Sequence, residues 1–198
     1  GTKWVPRLHA KWDISPTWMA RASAGKGWRR VNLLAENMGF LANSRSIQLL
    51  GSLNPLEEAW NYGFSLTHDF TWGNRKANVV FDYFQTDFTH QWVVDMETAH
   101  AIRMYTSPGV SYAKSAQIEF NYSPIPRLEW KTAYRYQDVA ADYLTELGTL
   151  RRLSKPFLNR DRVLVNLAYA TRYDIWKFDL TWQWSGPRRI PNAYVHSG

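Results

Sequence analysis

The stretch WKFDLTWQWS, residues 176–185, indicates the fold most clearly because its residues alternate strictly in character. Its even positions are all apolar and mostly aromatic: Trp176, Phe178, Leu180, Trp182 and Trp184. Its odd positions are all polar, and alternate residues of a β-strand point to opposite faces of a sheet. The stretch is therefore predicted to be a strand with one aromatic and one polar face. The question it raises is whether the aromatic face contacts a protein core or lipid.

Seven further segments show the same alternation, and they predict an all-β, antiparallel protein of about eight strands. They lie at roughly 5–12, 18–25, 59–71, from 77 onward, 110–122, 128–137 and 161–171. The fourth segment is irregular because Val80 and Phe84 fall among its polar positions and the phase of the pattern changes later. We expect a β-bulge near 84–88 to cause that change.

The connections between these segments differ greatly in length. Short turns are predicted at 13–16, 73–76, 123–127 and 173–175, whereas the connections at about 28–58, 89–109 and 139–160 are long. Long connections without secondary structure are uncommon in compact domains and are usually functional. Short turns at one end and long loops at the other are typical of outer-membrane barrels, whose turns are periplasmic.

The composition limits the alternatives. The 198 residues contain no cysteine, which excludes disulfides and thiolate metal sites. No apolar run approaches the roughly 20 residues of a membrane-spanning helix, but a membrane barrel has no such run either. The formal charge of +7 is scattered along the chain, so no nucleic-acid partner is predicted.

A soluble β-sandwich with an aromatic core remains open on the pattern alone. Strands of about nine to thirteen residues match tilted membrane strands better than typical soluble ones. Tryptophan and tyrosine near strand ends also favour a membrane, since these residues prefer its interfaces. If the short turns are periplasmic, both chain ends lie on the outer side, so we expect these strands to form part of a larger barrel.

Four motifs resemble the barrel of TonB-dependent outer-membrane receptors, particularly the Bacteroidetes-like kind. They are RASAGKGWR (21–29), LLAENMGFLANSR (33–45), LNPLEEAWNYGFSL (53–66) and FDYFQTDF (81–88). The resemblance implies a 22-stranded barrel with a plugged lumen. Residues 1–198 would be a partial barrel domain, about strands 12 to 19, without the plug and the terminal strands.

The resemblance also implies a function in the bacterial outer membrane. The whole receptor would import a scarce ligand, such as a ferric siderophore, haem, cobalamin or another metal complex, using energy from the TonB complex. Its partners would be outer-membrane lipid and lipopolysaccharide, its own plug, the TonB complex and the ligand. No cofactor and no enzymatic activity are expected, because catalytic and phosphate-binding motifs are missing from the sequence. The alternatives are a passive porin-type barrel and a soluble, carbohydrate-binding β-sandwich.

The alternation assigns residues to the two faces. Those expected to face lipid are Trp18, Tyr62, Phe64, Ile118, Phe120, Trp130, Phe178, Leu180 and Trp182. Those expected to face the lumen include Arg21, Glu119, Arg135, Lys177 and Asp179. An anionic ligand at the outer rim would suit bidentate arginines, so Arg29, Arg30 and Arg45, with Glu36 and Asn37, are the candidate ligand contacts.

No metal site is predicted. Met96, His100 and Met104 could offer soft ligands to copper, but an ordinary surface position is the interpretation we favour. The stretch VNLLAENMGFLA, residues 31–42, has apolar spacing that permits a short helix folded over the lumen.

Overall fold

The structure is a computed structural model that describes residues 4–36, 38–41, 44–51, 56–98, 100–145 and 147–191. Its strands are β1 (Arg7–Ser15), β2 (Trp18–Arg30), β3 (Ser46–Leu49), β4 (Leu56–Trp72), β5 (Arg75–His90), β6 (Trp92–Asp95), β7 (Ala101–Thr106), β8 (Ser111–Tyr122), β9 (Leu128–Leu144), β10 (Leu150–Ser154), β11 (Asp161–Ala170) and β12 (Lys177–Ser185). Two single-turn helices, α1 (Leu33–Glu36) and α2 (Met38–Leu41), follow β2. The all-β prediction is confirmed, and a short helical stretch does follow β2.

Eight strands form one continuous antiparallel sheet, here called the main sheet, in the order β1-β2-β4-β5-β8-β9-β11-β12. β10 extends it locally by pairing with the end of β9. Within the described residues β1 and β12 do not pair with each other, so the sheet is open along both edges.

Short turns join these strands at one end of the main sheet. The β4–β5 turn has only two residues between paired Trp72 and Arg75, and both Gly73 and Asn74 have positive φ, at 56° and 63°. This is the backbone of a type I′ turn, which suits the right-handed twist of a hairpin. The turn at 123–127 lies where it was predicted, and the turn predicted at 173–175 extends over 171–176. The turn predicted at 13–16 lies at 16–17, because β1 continues to Ser15. The strand runs further because Asp13 still pairs with Met19.

The bulge predicted near 84–88 is present, but it lies at Thr89, just beyond that range. β5 pairs with β8 without interruption from Ala77 to Phe88, and the extra residue is Thr89. Phe84 lies on the polar face because it is paired with Gly63, where the missing side chain leaves room for its ring. A Cβ on Gly63 would lie 3.0 Å from that ring. A neighbouring glycine, and not a change of phase, therefore explains the aromatic residue among polar ones.

The long connections contain strands that the sequence pattern did not predict. β3, β7 and β6 form a second, three-stranded sheet, here called the loop sheet. Val31, Trp92, Met96, Ile102 and Met104 form one buried cluster there, and Val93 and Tyr105 pack against Ala141 and Tyr143 of β9 in another. Apolar burial against the main sheet thus orders these connections.

Candidate functional site

The register of the main sheet separates two chemically opposite faces. The nine residues expected to face lipid share one face, here called the aromatic face: Trp18, Tyr62, Phe64, Ile118, Phe120, Trp130, Phe178, Leu180 and Trp182. Large side chains on it are widely exposed; Leu180, for example, is 66% exposed. Such a continuous apolar surface is far larger than an ordinary soluble monomer presents.

Aromatic rings collect at both ends of this face. Near the short turns, the Trp18 ring stacks on His68 with 4.0 Å between centroids, and Trp72 stacks on Tyr122 at 5.0 Å. Near the long connections lie Trp28 and Trp60, on the neighbouring strands β2 and β4. Two aromatic bands separated by aliphatic and phenylalanine side chains match the interfacial girdles of membrane barrels.

The opposite face, here called the polar face, carries charged side chains that pair within the wall. Lys131 Nζ lies 2.8 Å from Glu119 Oε1, and Asn166 Nδ2 donates to Asp179 Oδ1 at 2.8 Å. The residues expected to face the lumen all lie on this face: Arg21, Glu119, Arg135, Lys177 and Asp179. The face therefore presents charged and hydrogen-bonding groups that suit contact with water or with a polar ligand.

At the loop end, Arg29 connects three parts of the chain. Its Nε donates to Glu57 Oε2 at 2.7 Å, and its Nη2 lies 3.4 Å from Glu36 Oε2. Glu57 is only 4% exposed, and its second oxygen accepts a hydrogen bond from the Trp92 backbone at 2.9 Å. The buried Glu57 carboxylate thereby joins the end of β2 to the loop sheet, and Arg29 extends the link to Glu36 of helix α1.

The five candidate ligand contacts are not brought together as a set. Arg29 and Glu36 meet, but Arg30 lies on the opposite face of β2, because neighbouring residues of a strand point to opposite sides. Arg45 donates from Nη1 to the Met96 carbonyl at 3.4 Å. Asn37 lies outside the described residues.

A second buried carboxylate organises the loop sheet. Asp95 is 1% exposed and accepts hydrogen bonds from Arg103 Nη2 at 2.7 Å, from the Tyr105 hydroxyl at 3.3 Å and from the Glu97 amide. The Tyr105 oxygen also accepts from the Leu144 amide at 2.8 Å. Burial raises the pKa of the Tyr105 phenol from 10.0 to about 12, against the opposing effect of the Leu144 hydrogen bond. The phenol therefore stays protonated and keeps donating to Asp95.

Between the loop sheet and the main sheet lies a cavity of about 280 Å³, here called the rim cavity. Most of its wall is apolar, and four charged residues line it. The lining comprises Arg29, Val31, Glu36, Glu57, Gln91, Trp92, Val93, Val94, Met96, Val139, Ala140, Ala141, Tyr143, Lys155, Pro156 and Phe157. A small apolar cavity with a few polar groups is the usual form of a ligand site.

Sequence reasoning found Arg29 and Glu36 of this site but missed Trp92, Tyr143 and Lys155. The run WVVDM, 92–96, does not alternate, and that was the one available signal of a strand buried on both faces. Met96 and Met104 are buried in the loop-sheet cluster, not placed on the surface as we favoured, whereas His100 is exposed.

No helix in the described part of the chain combines the length and the apolar character of a membrane span. In the same residues, no group of three or more histidine, aspartate or glutamate side chains is arranged to hold a metal ion.

Comparison with known protein families gives a match over residues 1–197 to the family described as TonB dependent receptor-like, beta-barrel. No curated protein and no solved structure matches significantly. The family comprises outer-membrane transporters of Gram-negative bacteria, not enzymes, and implies a plug domain and an interaction with TonB. The match covers nearly the whole chain and agrees with the antiparallel two-faced sheet. The chain therefore belongs to the TonB-dependent receptor β-barrel family.

Proposed function

We propose that this chain is one continuous part of the wall of a 22-stranded barrel in a receptor that imports a small-molecule or metal-chelate ligand. Residues 1–198 form part of the barrel domain, and the plug and the remaining strands belong to the rest of the receptor. The family match and the two open edges of the main sheet support this assignment. Energy for import comes from the TonB complex, as in the family.

The observation that carries the proposal is the exposure of the aromatic face. A soluble sandwich would cover this face with a second layer, yet Phe178, Leu180 and Trp182 are all more than half exposed. In the receptor the face contacts outer-membrane lipid, with lipopolysaccharide on the outer side, and its aromatic bands lie at the two interfaces. The polar face lines the lumen.

The loop end is the ligand-binding end of the proposed receptor. Arg29 and Glu36 line the rim cavity and are the ligand contacts that we retain from the sequence. Arg30 and Arg45 do not line it. The ligand belongs to the class of scarce nutrients that need active uptake, such as a ferric siderophore, haem, cobalamin or another metal complex.

The test is energy-dependent uptake by the full-length protein in its own outer membrane. Strains with and without the receptor, each with intact or deleted TonB, are grown on a single source of iron, haem or cobalamin. We expect at least one source to support growth only when both receptor and TonB are present. Growth that depends on the receptor but not on TonB would indicate a passive porin-type barrel.

A second measurement addresses the soluble alternative. The full-length protein should require detergent and should migrate differently on gels before and after boiling, as folded membrane barrels do. A freely soluble monomer with the same mobility in both states would instead support a carbohydrate-binding sandwich.

A further inference from the structure

We propose that the rim cavity binds a ligand, or part of one, that has a compact apolar body and a single anionic group, and that Lys155 contacts this group. The inference rests on the proposed import function and deepens it by naming the chemical class that this receptor recognises at its rim. It changes the residue expected to bind the anion from the arginines of β2 to Lys155.

The apolar body is specified by the walls of the cavity. The loop sheet contributes Trp92 and Val93, and the main sheet contributes Ala141 and Tyr143, all of them buried. These side chains are held in the two buried clusters, so the pocket is already formed. An apolar body that enters it adds burial without reorganising the walls.

The charge of the ligand follows from the pairing of the four charged residues in the lining. Arg29 is matched by Glu57 at 2.7 Å and by Glu36 at 3.4 Å. The remaining oxygens of these carboxylates accept from the Trp92 and Asn32 amides, at 2.9 Å and 3.3 Å. Within the described part of the chain, the Lys155 ammonium has no ion-pair partner. The lining as a whole is neutral, but its charges are separated: the Arg29–Glu36–Glu57 group carries one excess negative charge, and Lys155 lies beyond ion-pair distance of it with one positive charge. A single anionic group is therefore matched at Lys155, and a second one would meet the two glutamates.

The backbone holds Lys155 at the cavity. Its amide donates to the Val139 carbonyl at 2.8 Å, and the Phe157 amide donates to the Arg189 carbonyl at 2.9 Å. At the second anchor, Phe157 adopts φ +60°, which a bulky residue rarely does. Disfavoured backbone of this kind persists where the surroundings fix it, often beside a binding site. The turn at 155–157 is therefore fixed against the rim and does not swing freely in solvent.

The test measures binding of a matched probe pair to the full-length protein in lipid nanodiscs. Naphthoate and naphthamide share the same flat apolar body and differ only in the anionic group. Equilibrium dialysis against empty nanodiscs corrects for probe that enters the lipid. Because Lys155 is exposed, we expect naphthoate to bind about twofold to fivefold more tightly than naphthamide, the upper range for one exposed ion pair.

Lys155→Gln should abolish this preference by weakening naphthoate and leaving naphthamide unchanged. Lys76→Gln is the matched control, because Lys76 is an exposed lysine at the short-turn end of the main sheet and should leave both affinities unchanged. Equal binding of the two probes to the wild type, or an unchanged preference in Lys155→Gln, would overturn the inference. Both variants must show the heat-dependent gel mobility of the wild type, so a loss of folding is recognised.

These outcomes separate the two proposals. If naphthoate is preferred but growth never depends on TonB, the import function is wrong while the anion site stands. If growth depends on TonB but the probes bind equally, the import function stands and the ligand class inferred from Lys155 is wrong.

Discussion

Glu57 is the residue that joins the end of the wall to the loop sheet. Glu57→Gln removes the charge that matches Arg29 but keeps the size of the side chain. Because the Arg29 side chain is 62% exposed, solvent screens part of the loss. We expect the loop sheet to lose about 1–2 kcal/mol of stability against local opening. Hydrogen–deuterium exchange of the Trp92–Asp95 amides measures this, and should become about tenfold faster.

Asp13→Asn is the control for that change. Lys11 and Asp13 form an ion pair of similar length, 3.0 Å, but with both side chains more than half exposed. We expect Asp13→Asn to lower the stability against local opening by less than about 0.5 kcal/mol. Equal effects of Glu57→Gln and Asp13→Asn would contradict the structural importance of the buried carboxylate.

Tyr105 makes the loop sheet sensitive to alkali. Burial raises the pKa of its phenol above the unfolded value of 10.0 to about 12 in the folded protein. The stabilisation that accompanies this shift is fully present below about pH 10 and is lost as the pH rises through about 12. In a phenolate absorbance titration, the component that Tyr105→Phe removes should have its midpoint near pH 12. A midpoint at 10 would show that Tyr105 is not buried as described.

At the scale of the strands, the pairing of Gly63 with Phe84 fixes where an aromatic residue can enter the polar face. A Cβ at Gly63 would lie 2.7 Å from Ser23 Oγ and 3.0 Å from the Phe84 ring, whereas one at Gly27 would come no closer than 3.5 Å to Asn61 Nδ2. Gly63→Val should therefore destabilise the barrel by about 1–3 kcal/mol through overpacking, and Gly27→Val by much less. Urea unfolding of the refolded full-length barrel compares them, and the reverse order would refute the proposed packing.

The strands of the main sheet were predictable because their residues alternate between apolar and polar, as they do from Phe178 to Trp184. The loop sheet was not predictable, because β6 and β7 are short and largely buried on both faces, and the exposed strand β3 pairs in parallel with β7 across more than fifty residues. Met104 and Ile102 are buried with Val31 and Trp92, and no local pattern encodes those contacts. The same reason explains Phe84, whose place depends on a glycine in another strand.

For the candidate site, sequence reasoning found the charged residues of β2 and α1 but not their pairing. Arg29 looked available for a ligand because Glu57 lies 28 residues away along the chain. Lys155 gave no sequence signal, since a lone lysine in a loop is ordinary. Its significance comes from the cavity that two sheets form around it.

At the scale of the whole molecule, the proposed barrel requires that one face of each strand contacts lipid and the other contacts the aqueous lumen. Leu180→Arg should cost about 2–4 kcal/mol of barrel stability if Leu180 lies near the middle of the bilayer. Thr181→Arg, the neighbouring residue on the polar face, should cost much less. Unfolding in urea from the same lipid or detergent compares the two variants, and equal losses would argue against a lipid-facing aromatic face.

The most direct test places single cysteines from 178 to 184, one at a time, and labels each with a nitroxide in the full-length protein in bilayers. Residues 1–198 contain no cysteine, and any cysteine elsewhere in the receptor is first replaced by serine. Collision with oxygen, which concentrates in lipid, is compared with collision with a water-soluble nickel complex. We expect high oxygen accessibility at Phe178, Leu180 and Trp182, and low oxygen accessibility at Asp179, Thr181 and Gln183. Equal values along the strand, or high nickel accessibility at Leu180, would contradict the claim that the aromatic face of this wall lies in the membrane.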